Sequence, residues 1–340
     1  WSVTRGHQLD CGAYIPTSTA ATAKDVWQEG LTIPPIKFYE KGKPRDDVIR
    51  MYLANLRWKD WLRGDLMAQL GSIWTGARRL VELVEQYGIE ETERYIEAIF
   101  DYSDRRMAEE IRSMPNGKYV GETWVDSDGQ GNTNLLIRAT VTIEDDNIHV
   151  DYGGSADQVP GATNSSYGVM QAAAGIPILC CIDPTIPHNE GCLRHITATA
   201  PKGSICNAEY PGSTAIATIV PGDPMQDAVW KALARAIPER AAAGYGRIHC
   251  VPFFSGIDRR DGGKREWGCM LFNGGSGGAA APAADGWPLI MTEAGMGGLK
   301  VPSVEMSELL YPLLVERVEI EPDSMGCGKH AGGPGIGISV

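Results

Sequence analysis

"LCCIDPTIPHNEGCLRHITATAP", residues 179–201, is the stretch on which the reading of the fold turns. An apolar, helix-like run over 167–182 enters it. That run must stop at Asp183-Pro184, because the residue before a proline is pushed out of the α region. Pro187 holds the turn extended, His188-Asn189-Glu190-Gly191 follow, and a strand-like alternation then covers 193–199. A helix and a strand thus present one polar knuckle, the kind of loop on which functional residues concentrate. Asn189 and Glu190 have two readings, as braces of the turn or, with His188, as chemistry.

Outward from the knuckle, the pattern splits into a helical part and a strand-rich part. Over 46–113 the chain reads as helix, with Leu66, Leu70, Ile73, Ala77, Leu80 and Val84 recurring every three to four residues. Gly88 ends that helix. A second helix over 90–113 is predicted to bury Ile96, Ile99, Phe100, Met107 and Ile111. The polar face around Arg63, Asp65 and Gln69 is free to approach an active site. Pro115-Asn116-Gly117 breaks the helix, and strands are predicted over 118–125, 134–144 and 147–152. Asp126-Ser127-Asp128-Gly129 opens like a calcium loop but lacks the closing acid, so it reads as a polar hairpin tip. Beyond the knuckle, 214–220 reads as a strand, and a helix over 225–237 starts with Asp223 as cap and Pro224 at its first position. Strands at 248–254, 267–272 and 288–292, a short helix at 303–310 and a strand at 313–320 complete the chain. The expected class is α+β, with mixed and antiparallel sheets and a helical lobe.

A chain of 340 residues with 43% apolar and 22% charged residues buries a sizeable core, and its 41 glycines point to many turns. The net charge of −12 argues against a nucleic-acid groove, which needs a basic face. No run approaches the length of a transmembrane helix and no signal peptide opens the sequence, so a cytoplasmic protein is expected. The eight cysteines contain no Cys-x-x-Cys pair, which makes buried free thiols the expectation. Gly274-Gly275-Ser276-Gly277-Gly278 has the composition of a phosphate cradle but lacks the Gly-Lys-Ser/Thr of a P-loop.

Residues 2–4 read as the end of a strand, leading into Arg5-Gly6-His7-Gln8-Leu9-Asp10-Cys11-Gly12. Imidazole and carboxylate three apart, between Gly6 and Gly12, make either half a site for a divalent metal or a loop in which His7 bonds Asp10. Glu29, before Gly30, is either a second carboxylate near that metal or a turn residue.

"DPTIPHNEGCLRHITATAPKGS", from Asp183 onward, resembles the "DP-x-IP-x-NEGC-x-R-x-I" segment of the hydantoinase B/oxoprolinase family. "QEGLTIPP", "RGDLMAQLGSIWTGARRLVELVEQYG", Asp151-Tyr152-Gly153-Gly154-Ser155 and the Gly-His-x-x-Asp of residues 6–10 resemble it too. So does "DSMGCGKHAGG" after residue 322, where Ala331 replaces the family's arginine. The resemblance covers nearly the whole chain. It implies a hydantoinase B-like fold and a B-type subunit of an ATP-dependent enzyme that opens a cyclic amide (hydantoin, 5-oxoproline or lactam). An A-type partner would bind the ATP and phosphorylate the substrate, in a hetero-oligomer. A ketone carboxylase of the acetophenone type is the alternative, and a non-catalytic scaffolding paralogue the second. Arg5 stands where acetone carboxylases have a further histidine, and Met291–Gly298 departs from the "TNTRNTP" of hydantoinases. The resemblance also implies zinc or manganese held by His7 and Asp10, with further ligands upstream. Glu29, His188 and Glu190 are the candidate catalytic residues. The expected organisation is a metal-site strand and loop (1–45), a helical lobe (46–113) and an α+β catalytic and assembly lobe (114–340). Against the family, N- and C-terminal parts are expected to be missing.

Overall fold

In strand β4 (Thr133–Glu144), Ile137, Ala139, Val141 and Ile143 are buried while the residues between them reach the surface. Alternate side chains of a strand point to opposite faces, so this strand commits one face to a core. It pairs antiparallel with β3 (Gly117–Ser127) on one side and with β5 (Asn147–Asp151) on the other. The knuckle delivers β6 (Ile196–Thr199), which joins β5 in parallel, so the four-stranded sheet β3-β4-β5-β6 is mixed, as expected. The computed structural model describes residues 1–246, 252–260, 262–270, 276–288, 290 and 302–340.

Onto the sheet pack α4 (Tyr167–Cys180) and α6 (Gly222–Ala236). Ser166 caps α4 by accepting from the Val169 amide. Helix α6 turns Ala228, Val229, Ala232, Leu233 and Ala236 inward, as the pattern required. Each larger aliphatic side chain in this core stabilises the fold by about 1.5–3 kcal/mol. Gly121 in β3 marks the closest approach, since a Cβ there would collide with the Ala228 carbonyl oxygen.

The chain divides into two compact units. The sheet lies in the second, made of Ala21–Val26, Phe100–Pro252 and Leu271–Val340. That unit also holds α5 (Glu190–Leu193), α7 (Val304–Leu310) and the antiparallel pair β9 (Arg317–Ile320) and β10 (Ile336–Ser339). The first unit comprises Trp1–Ala20, Trp27–Ile99 and Phe253–Met270. It carries a small hairpin, β1 (Tyr39–Glu40) with β2 (Lys43–Pro44), then α1 (Asp46–Ala54) and α2 (Lys59–Tyr87). It also holds the antiparallel pair β7 (Phe253–Asp258) and β8 (Arg265–Met270). Helix α3 (Ile89–Arg112) belongs to the first unit up to Ile99 and to the second from Phe100.

Several expectations need correcting. Residues 2–4 belong to no strand. Residue 193 ends α5, so the strand begins only at Ile196. The β-branched stretch 214–220 is a series of turns, its amides used locally by Ala217 to Thr214 and by Ile219 and Val220 to Ile216. Those turns run straight into α6, which therefore starts at Gly222, with Pro221 at the cap and no side-chain cap. In α3, Met107 and Ile111 are buried, but Ile96 and Ile99 are exposed. Most of the predicted strands at 248–254 and 288–292, with Gly274, Gly275, Cys250 and Met291–Gly298, lies outside the described residues, and the described Pro288 and Ile290 belong to no strand.

Candidate functional site

In the first unit, the chain from Gly6 to Gly12 is held from three directions. Asp10 is fully buried, and a buried carboxylate needs partners. Its Oδ2 accepts from the Arg57 amide at 2.7 Å and its Oδ1 from Arg57 Nη1 at 2.9 Å, with the Gly12 amide at 3.3 Å. Arg57 also donates from Nη2 to the Ala13 carbonyl at 2.8 Å. Gln8 accepts from the Tyr52 hydroxyl at 3.3 Å, and Gln69 lies so close to Gly6 that a Cβ there would collide with its amide. Burial raises the pKa of the Tyr52 hydroxyl, with smaller contributions from Asp65, Cys11 and Asp10. His7 is exposed, with Nε2 2.8 Å from Ser18 Oγ.

The segment bearing Glu29 runs alongside. The Cys11 thiol donates to the Glu29 carbonyl at 2.9 Å and the Leu31 amide to the Cys11 carbonyl at 2.8 Å. Gly30 has φ +124°, and a Cβ there would strike the Cys11 carbonyl oxygen, so this crossing admits only glycine. His7, Asp10 and Glu29 therefore share one unit.

The fit of a divalent metal follows from these contacts. The imidazole of His7 is accessible. Asp10 is not turned out beside it, because three of the roughly four acceptor positions of its carboxylate are taken by Arg57 and Gly12. Among the described residues no group of three His, Cys, Asp or Glu side chains is placed to hold an ion. The pair as it stands does not fit a metal centre.

The knuckle lies in the second unit, clamped to the later half of α3. Asp183 accepts from Arg106 Nη2 at 2.7 Å and from the Thr185 amide at 2.8 Å. The Thr185 amide, then its side chain, holds the Asp183 carboxyl below the usual range, with Arg106 adding to the effect. Asn189 caps α5, its Oδ1 accepting from the Gly191 amide at 2.9 Å while its Nδ2 donates to Ser103 Oγ at 2.9 Å. Ser103 and the Cys192 thiol both donate to the Pro187 carbonyl, at 3.1 and 3.0 Å. His195 Nε2 is 3.2 Å from Asp104 Oδ1. Asn189 is thus a brace of the turn, whereas His188 and Glu190 are exposed.

A cleft of about 480 Å³ in the same unit is lined by Tyr245, Ser276, Gly277, Gly278, Cys327, His330 and neighbouring glycines. The glycines serve close backbone packing, for a Cβ on Gly277 would collide with the Gly333 carbonyl. The Gly278 amide donates to Trp287 and that of Gly333 to Gly278, so neither is left for a phosphate. Asp128, the other loop candidate, accepts from the Gln130 and Asn132 amides and from Asn132 Nδ2, closing a hairpin tip on itself.

Sequence reasoning missed Arg57, Ser103 and Arg106, the partners of residues it had singled out. It also missed a polar row on the sheet, in which His149 lies 2.9 Å from Thr197 Oγ1 and 3.1 Å from Thr199 Oγ1. The β5–β6 pairing that builds this row carries no local signal. The seven described cysteines are all free, and burial pushes Cys206 up to about 12 and Cys269 to about 11. No helix among the described residues is long and apolar enough to cross a membrane.

The sequence profile of hydantoinase B/oxoprolinase proteins matches residues 1–340. The β subunit of caprolactamase from Pseudomonas jessenii is 34% identical over all of this chain and 58% of its own length. The B-type subunit of a putative D-/L-hydantoinase from Pseudomonas sp. (strain NS671) is 31% identical over 98% of this chain and 57% of its own. The crystal structure of the ATP-dependent caprolactamase from P. jessenii superposes with a TM-score of 0.90 at 32% identity, covering 98% of this chain and 57% of the other. The chain therefore spans somewhat more than half the length of these relatives.

Proposed function

The chain belongs to the hydantoinase B/oxoprolinase family, and from that premise we propose that it is part of the B-type subunit of an ATP-dependent enzyme that opens a cyclic amide. The observation that carries this is the agreement in fold and sequence with the caprolactamase along nearly the whole chain. An A-type partner chain in a cytoplasmic hetero-oligomer supplies ATP and phosphorylates the amide oxygen. The ring carbon then loses amide resonance and is open to water. Addition of water and protonation of the ring nitrogen expel the amine, leaving an acyl phosphate, and a second water releases phosphate and the carboxylate. His7 is the exposed imidazole of the first-unit loop, where it can meet substrate or a metal. Asp10 and Arg57 fix the backbone that presents it. Glu29, and in the second unit His188 and Glu190, remain candidates for contact with substrate.

A metal, zinc or manganese, enters this reading in reduced form. His7 is its one ligand from this chain, the others coming from elsewhere in the complete protein. Elemental analysis of the full-length wild type and His7→Ala tests this, and equal occupancy removes His7 from the ligand set.

The activity test uses the full-length protein with its A-type partner, ATP, and hydantoin, 5-oxoproline and caprolactam in turn. Ring-opened product formed with stoichiometric ADP is expected for at least one. Carboxylation of acetophenone with bicarbonate, without ring opening, would establish the ketone reading instead. Full activity of the partner without this chain would leave it a scaffold.

A further inference from the structure

The polar face of α2 that stood out in the sequence is carried to the loop bearing His7. Asp65 and Gln69 are four residues apart and so share one side of the helix. Gln69 lies over Gly6, where any Cβ would collide with its carboxamide, so the position next to His7 is kept bare to admit that side chain. Burial first, and then Asp65, raises the pKa of the Tyr52 hydroxyl, which donates to Gln8 Oε1 at 3.3 Å. Gln69 is half-buried, yet among the described residues its carboxamide makes no hydrogen bond, and neither does Gln8 Nε2. Ordering a glutamine side chain removes rotamer freedom, and no bond within the fold offsets that loss at Gln69. A carboxamide laid against a bare Cα, with donor and acceptor both unused, calls for an explanation.

We propose that Gln69 is a substrate-binding residue, its carboxamide meeting the CO–NH edge of the ring. This rests on the cyclic-amide reading. A small ring forces its amide to be cis, which puts the C=O and the N–H on one edge. A carboxamide carries an acceptor beside its donors and matches such an edge with two parallel hydrogen bonds, as glutamine does with adenine. It keeps a bond once the oxygen is phosphorylated, because its NH2 then donates to the ring nitrogen. Gln8 Nε2, left free by the Tyr52 contact on Oε1, is a further donor from the same loop. Acetophenone has no N–H for Gln69 to read, so this residue separates the amide reading from the ketone one.

The test takes the full-length protein with its A-type partner, and caprolactam, 5-oxoproline and hydantoin. Each is set beside its analogue methylated on the ring nitrogen, where the methyl group occupies the edge that Gln69 reads. Dissociation constants come from ligand NMR without ATP, and KM from ring opening with it. Gln69→Met keeps the length of the side chain and its place over Gly6 but removes both hydrogen bonds. For at least one cyclic amide the variant is expected to weaken binding and raise KM about tenfold or more. The dissociation constant of its N-methyl analogue should change by less than about twofold on the same scale. Gln69→Glu, of the same shape but without the donors, is expected to show the same split. A merely structural role would weaken both members of a pair alike. Equal losses within each pair, or no loss for any, overturn the proposal, and ring opening by the wild type then still upholds the reaction. A wild type that neither binds nor opens any of the three overturns the proposal and the reaction together.

Discussion

Replacing Arg57 by alanine leaves Asp10 as a fully buried carboxylate facing two backbone amides. The wild-type pair joins an Asp10 side chain of 0% exposure to an Arg57 side chain of 31% exposure, 2.9 Å apart. Breaking a buried ion pair by removing one partner costs about 3–5 kcal/mol, because the other charge is left uncompensated. The amides of Arg57 and Gly12 survive the substitution, and the Arg57 side chain was already about a third exposed. The expected loss is therefore near the lower end, about 3 kcal/mol, even with the Ala13 contact also gone. On the rule of about 1.4 kcal/mol per tenfold, amide exchange in residues 10–14 should accelerate on the order of 100-fold. Hydrogen exchange read by mass spectrometry suits this two-unit chain better than a single melting curve, which need not be two-state. Asp10→Ala should cost less than Arg57→Ala, since it leaves no buried anion. The double substitution should show a coupling of about 1–3 kcal/mol. If both single variants lose under about 0.5 kcal/mol with no coupling, Asp10 is not anchored by Arg57, and it returns to the pool of metal ligands.

Other predictions use the same reasoning. Gly30→Ala should destabilise the first unit by about 2 kcal/mol or more, from strain at positive φ and a collision with Cys11. Gly42→Ala, at φ +78° with nothing within 4 Å, should cost only about 1 kcal/mol; equal losses in a melting experiment would deny the collision. Asn189→Ala should cost about 1–2 kcal/mol through loss of the α5 cap and the Ser103 contact, with Asn189→Asp recovering part of it in thermal unfolding. Exposed Cys327 should react with a thiol reagent at pH 8, while Cys206 and Cys269, pushed up to about 12 and about 11, react only on unfolding. Because the unfolded thiols ionise first, their contribution to stability is complete below the ordinary thiol value. It declines as pH rises above that value toward 11 and 12, at up to ~1.4 kcal/mol per pH unit for each thiol. Urea midpoints that do not fall over this range would contradict it.

The sheet was legible because its strands alternate cleanly, and β4 does so for four buried residues in succession. The helix ends were legible because glycine and proline mark them, as Gly88 does after α2. Composition misled at 214–220, where β-branched residues suit a strand but the backbone satisfies itself in turns. It misled again at Ile96 and Ile99. A helical period says that a face is apolar, and nothing in the period says what covers it. The candidate site shows the same asymmetry. His7 and Asp10 stand out in the sequence, but which of 31 Lys and Arg residues neutralises a buried Asp10 depends on the return of the chain at Arg57. Asn189 was readable as a brace, while Ser103, which it grips, lies 86 positions away.

Arg57 sits in the short joint, residues 55–58, between α1 and α2. At 1.5 Å per residue the 29 residues of α2 make an arm ~43 Å long. Simple leverage follows: each degree of tilt at the joint swings the far end by ~0.75 Å at that length. Gln69, which rests on Gly6, travels only about a third as far on the same scale. The ion pair with Asp10 therefore holds the arm at its root, while Gln69 against Gly6 and Trp74 against Tyr39 steady it farther out, so slack at the root alone is checked before it reaches the tip.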